Sequence, residues 1–142
     1  MTSVLRTAVG GIVFDALGRV LLVRRAHPPA VGSWTLPGGK VRAHESLEHA
    51  VTRELLEETS LLVQPDRLVE VVELVGGGFH YLVHDYLCSL LVDPSAARPG
   101  DDAAELAWAS LDDLPRFAVT DAVVRVVHAA SELRRPTSCQ SR

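Results

Sequence analysis

The segment SLEHAVTRELLEETS (Ser46 to Ser60) restricts this chain more than any other. Ser46 stands where a helix N-cap belongs, which predicts a helix over residues 47–59. At about 100° per residue, Leu47, Ala50 and Val51 fall on one stripe that must face a core. Seven residues further along the same stripe stand Glu54, Glu57 and Glu58. A fold that accepts this helix must bury its first half and give the acids of its second half something to meet.

A solvated helix face would place such acids opposite Leu47 and Val51, with Lys or Arg four residues on. Here the positions four beyond Glu54, Glu57 and Glu58 hold Glu58, Leu61 and Leu62. Crowded carboxylates repel, partial burial raises the cost of each charge, and the nearby helix C-terminus adds roughly 0.3–1 kcal/mol per acid. A divalent cation offsets all three costs. Ligation by carboxylates alone favours hard ions, Mg²⁺ or Mn²⁺, over Zn²⁺.

The chain has 142 residues, one domain's worth, with a net charge of −4. That balance gives no whole-molecule field for a nucleic-acid polymer, so a phosphate-bearing substrate needs local cations. Cys88 lies in the apolar run YLCSLLV and Cys139 in a polar tail; neither a disulfide framework nor zinc spacing is present. No stretch reads as a signal peptide or a membrane span, so a cytoplasmic location is expected.

Two apolar runs, Ala8 to Asp15 and Arg19 to Arg25, read as strands joined by ALG as a hairpin. A Pro- and Gly-rich loop, HPPAVGSWTLPGG, leads into the helix. Strand-like runs follow at Leu68 to Val75 and His80 to Val92, with GGGF between them, then a polar loop and LAWASL as a short strand or turn. TDAVVRVVHAASELRR reads as a terminal helix capped by Thr120. Strands mixed with two such helices predict an α/β fold whose mixed sheet is covered on both faces. One domain over residues 1–135 and a disordered tail over 136–142 are expected.

The run Gly39-KVRAH-Glu45-SLEHAVT-Arg53-Glu54-Leu55-Leu56-Glu57-Glu58-Thr59-Ser60-Leu61 resembles the Nudix box, Gly-x5-Glu-x7-Arg-Glu-U-x-Glu-Glu-x-Gly-U, where U is a bulky aliphatic residue. Every specified position fits except the last glycine, which is Ser60. WTLPGGK and ELAWASLDDLP also look like that family. The resemblance implies a Nudix α/β/α sandwich with a central mixed sheet. Glycine at position 60 would end the helix in the left-handed region; serine there costs about 1 kcal/mol and touches the shape of the helix end rather than the acids.

The resemblance also implies roles. Glu54, Glu57 and Glu58 would hold the metal together with the carbonyl of Gly38, and Gly39 would let that loop come close. Glu45, just before the helix, would pair with Arg53 to orient it. Nudix enzymes hydrolyse a nucleoside diphosphate linked to another group: metal neutralises the phosphates and activates a water, and a carboxylate takes its proton. Glu54 is expected chiefly as a ligand, with Glu105 as base or further ligand; Asp101 and Asp102 read as surface acids. Arg25 resembles a substrate-facing arginine, while Arg24 points to the other side of its strand.

Phe79, Tyr81 and Tyr86 are candidates for an aromatic wall against a base, although the tyrosines also suit a core. Trp34 is expected to pack under its loop. His80 and His84 have no zinc partner. The resemblance ranks ADP-ribose-like substrates ahead of (d)NTPs and leaves open a domain that binds a nucleotide without cleaving it. It also allows a homodimer.

Overall fold

In the computed structural model, which describes residues 4–28 and 30–134, seven strands form two sheets. β1 (Leu5–Val13), β4 (Gly38–Lys40), β5 (Val63–Gly76) and β6 (Phe79–Leu90) make a mixed sheet in the order β4-β1-β6-β5. Its β1–β6 pair is parallel and its other pairs are antiparallel. β2 (Val20–Arg25), β3 (Trp34–Thr35) and β7 (Ala103–Ala109) make an antiparallel sheet in the order β3-β2-β7.

Two helices cover opposite faces. α1 (Leu47–Thr59) seats Ala50, Val51 and Leu55 against Val9, Val13 and Leu21. α2 (Asp121–Arg134) seats Val126, Val127 and Ala130 in the cluster of Ile12, Phe14 and Leu22. β1 therefore feeds both clusters by strand alternation, and burial on both faces is why its sequence reads as an unbroken apolar run. This is the expected α/β/α arrangement. The expected caps are also present: Ser46 Oγ accepts from His49 N–H at 3.1 Å, and Thr120 Oγ1 accepts from Val123 N–H at 3.2 Å.

One expectation is corrected. β1 and β2 do not pair as a hairpin; they lie in different sheets, joined by the isolated antiparallel bridge Phe14–Val20 and by side chains packed in the two cores. The reason lies in the turn. The buried Asp15 carboxylate accepts from the N–H groups of Leu17 and Arg19 and from Arg19 Nε, at 3.0, 2.9 and 2.7 Å. That turn sends the chain from one layer to the next, and β2, with Val20 to Val23 all buried, is apolar on both faces. The loop expected between β2 and α1 contains the short strands β3 and β4, and two 3-10 helices, Pro94–Ala96 and Leu111–Phe117, flank β7.

Cys88 is buried as expected, and burial pushes its thiol up to about 12. Trp34 packs edge-on against Phe117 with ring centroids 5.1 Å apart. Among the described residues no helix is long and apolar enough to cross a membrane. The expected tail, with Cys139, lies outside the described residues.

Candidate active site

The row of acids on α1 turns inward where the apolar stripe ends. Glu58 is 8% exposed and Glu54 is largely buried, while Glu57 stands half-exposed at the rim. Loss of water pushes Glu58 up to about 7; the Gly38 N–H and Arg25 pull it back, and Glu54 and Asp102 push it further. Desolvation raises Glu54 as well, against the pull of Arg53 and with the push of Glu57 and Asp102.

Arg53 answers part of this negative charge. Its Nε and Nη2 donate to the two oxygens of Glu45 at 2.7 and 2.8 Å, a bidentate pair. Nη1 donates to Glu54 at 2.9 Å and to Glu57 at 3.2 Å, and Nη2 also reaches the carbonyl of Lys40 at 3.0 Å. The guanidinium thus uses its full set of donors. Glu45 also accepts from the Arg42 N–H and binds His49 Nδ1, and its bonds from Arg53 hold its carboxyl well below the usual range.

Three backbone contacts bring the flanking loops in. Gly38 N–H donates to Glu58 Oε1 at 2.9 Å. A Cβ on Gly39 would lie 2.5 Å from the Glu54 carboxyl carbon, so glycine is the residue that lets β4 run beside the acids. At the helix end, Ser60 adopts φ 63° and ψ 13° and donates to the Leu56 carbonyl, the left-handed cap expected of it. Arg98 N–H and Gly100 N–H take the Thr59 and Glu58 carbonyls at 2.8 Å each, satisfying groups a helix leaves open.

That last contact fixes which late acid comes near. Asp102 acts electrostatically on both Glu54 and Glu58, whereas Glu105 pairs with Arg24 at 3.3 Å on the exposed face of β7 and β2. Asp102 is exposed, as expected of a surface acid, and stands 3.6 Å from His27, yet its loop is held against the helix end. The signal that marks it is Gly100, where a Cβ would overlap the Glu57 carbonyl oxygen, so the loop must lie hard against α1.

Arg25, half-buried at the end of β2, faces Glu58 closely enough to lower its pKa. Beside Glu57, a shallow groove of about 290 Å³ is lined by Arg6, Lys40 and Arg42, and Arg42 stands 3.6 Å from Glu57. Phe79 and Tyr81 lie together near the β5–β6 turn, centroids 6.1 Å apart. Tyr86 is core, in the cluster under α1, and His80 and His84 make hydrogen bonds to Glu73 and to the Ala8 carbonyl.

The donor set fits a hard divalent cation: desolvated carboxylates with oxygen atoms and a loop that glycine allows close. Among the described residues no three acid, His or Cys side chains are posed to close on one ion; Arg53 donates to one oxygen each of Glu54 and Glu57, and the Gly38 N–H to one oxygen of Glu58.

The NUDIX domain profile matches residues 4–128. The chain belongs to the Nudix hydrolase family. It is similar to an ADP-ribose pyrophosphatase of Methanocaldococcus jannaschii, 34% identical over 111 residues, which cover 78% of this chain and 65% of that protein. A MutT-like protein of Streptomyces ambofaciens is 31% identical over 86% of this chain and 75% of its own. The crystal structure of a MutT NUDIX hydrolase from Burkholderia pseudomallei superposes with a TM-score of 0.75 at 32% identity, covering 89% of this chain and 98% of that one. In this Nudix chain, the box residues Gly39, Glu45, Arg53, Glu54, Glu57 and Glu58 are the ones that the fold gathers.

Proposed function

We propose that this chain hydrolyses a phosphoanhydride bond in a nucleoside diphosphate linked to a second group, with ADP-ribose-like compounds as the preferred class. The observation that carries this reading is the complete acid row, Glu54, Glu57 and Glu58, locked in register by the Glu45–Arg53 pair. Substrate preference leans on the name of the Methanocaldococcus relative.

Glu54, Glu57, Glu58 and the Gly38 carbonyl would hold Mg²⁺, or Mn²⁺ in its place. Such an ion neutralises phosphate charge and lowers the pKa of a water it binds. Arg53 keeps Glu54 aimed and shares its charge. Arg25 and the Arg6, Lys40 and Arg42 groove draw the anionic substrate to the acids. Phe79 and Tyr81 offer faces against which a base can stack. For the proton acceptor, Glu105 stands in an exposed pair with Arg24 and Asp102 beside His27, and of the two it is Asp102 whose charge acts on Glu54 and Glu58, so the late-loop role passes to Asp102. Comparing Asp102→Asn with Glu105→Gln separates the two. The working unit is the domain of residues 1–135, a cytoplasmic protein able to pair as a homodimer.

The deciding experiment is product release from a panel of ADP-ribose, NADH, 8-oxo-dGTP, ordinary dNTPs, dinucleoside polyphosphates and nucleotide sugars, with Mg²⁺ and with Mn²⁺. ADP-ribose should turn over fastest. Preference for a triphosphate would move the assignment to nucleotide-pool cleaning. Tight binding of one member with no turnover of any would make the chain a sensor.

A further inference from the structure

Among the described residues Asp85 is one of three buried acids, with Asp15 and Glu58, and none of the groups named above uses it. It sits in the middle of β6, 5% exposed, and accepts no hydrogen bond from any described residue. No fully enclosed side-chain oxygen in the described chain lacks a partner, so its carboxylate reaches a narrow opening rather than a sealed core.

Its direction is fixed by its neighbours. Asp85 pairs across β1 with Gly10 and across β5 with Glu70. A Cβ on Gly10 would collide with Asp85 Oδ1, so the carboxylate leans across the bare glycine. Gly10 in turn pairs with Gly38, the loop residue that binds Glu58. The Asp85 backbone is thus about two strand spacings, roughly 10 Å, from Gly38, whose N–H binds Glu58, and its carboxylate lies on the α2 side of the sheet, within reach of a nucleoside whose phosphate is held beyond the β4 edge. Tyr81, four residues earlier on the same strand, shares its face by alternation. The cation that α2 sends to this face, Arg125, is spent on Glu70 at 2.6 Å.

A carboxylate left without a donor deep in a fold is costly and is not explained by packing. We propose that Asp85 is a specificity-determining residue that accepts a hydrogen bond from an N–H or O–H of the substrate's nucleoside. This rests on the nucleotide reading above. Gly10 then has a purpose: any side chain there would close the approach.

The test is Asp85→Asn in the full chain, with calorimetric binding of GMP, dGMP, IMP and AMP and with kcat and KM on GTP, dGTP, ITP and ATP. At least one nucleotide should bind about 10-fold or more weaker to the variant, with KM raised to match, kcat within about twofold and the thermal midpoint unchanged or higher. A loss shared by GMP and dGMP but not by IMP or AMP assigns the donor to the base amine. One shared by GMP, IMP and AMP but not by dGMP assigns it to the ribose hydroxyl. Equal affinities for wild type and variant with all four, a loss in kcat alone, or a fallen midpoint overturns the proposal. Wild type that turns over neither these triphosphates nor any member of the wider panel, ADP-ribose included, yet binds a monophosphate through Asp85 sinks the hydrolase reading and not this one.

Discussion

Glu58 and Glu57 sit one position apart and do not have the same environment. Glu58 is desolvated and held by the Gly38 N–H, while Glu57 is half in water and shared between Arg53 and Arg42. Replacing either with Gln removes a charge without changing shape, and should lower kcat by about 10²-fold or more with the fold retained, because the lost charge acts in a water-poor site. Circular dichroism and steady-state rates read the two halves of that expectation; normal rates in both variants would remove the metal assignment. Glu45 is a positioning residue. Glu45→Gln breaks a bidentate pair and should cost about 10–100-fold in kcat while KM stays near wild type. A pure KM effect would show that Arg53 meets substrate directly.

At the scale of elements, α1 was legible because a 3.6-residue period and a cap residue act within the helix itself, and its end at Thr59 and Ser60 follows from the same local rules. Ser60 holds φ 63° where glycine would rest without strain. Ser60→Gly should therefore raise stability by about 1 kcal/mol, read from the thermal midpoint, with rates unchanged. Thr120→Ala should lower it by about the same amount by uncapping α2. What was not legible depends on partners far along the chain. The turn at Asp15 looks like any short hairpin until Arg19 is seen closing on its carboxylate. The choice between Asp102 and Glu105 turns on three residues of loop path, decided by Gly100 against the Glu58 carbonyl. β3 and β4 were missed because strands of two and three residues carry no period of their own.

For the whole molecule, Glu58 and Asp85 set a pH dependence. Both carboxyls are raised to about 7 by burial, from ordinary values of 4.5 and 3.8, so the folded chain keeps protons that the unfolded chain has already released. Their contribution to stability is full below about pH 4 and is lost as pH rises through 7. Metal-free protein should therefore melt at a lower temperature at pH 8 than at pH 5.5, and Asp85→Asn should flatten that slope. The charged neighbour that raises Asp85 further is Glu70, itself paired with Arg125. A midpoint that rises over the same interval would show that the two acids are solvated.

Arg53 ties Glu45, Glu54, Glu57 and the Lys40 carbonyl into one knot made wholly of protein groups. Assembly and loading are therefore separable events: a newly made chain can take its final shape in a cation-poor environment and be switched on afterwards. Stripping the protein with a chelator should silence it without dismantling it, leaving the near-ultraviolet dichroism in place. Small domains that fold only around their ion behave the opposite way.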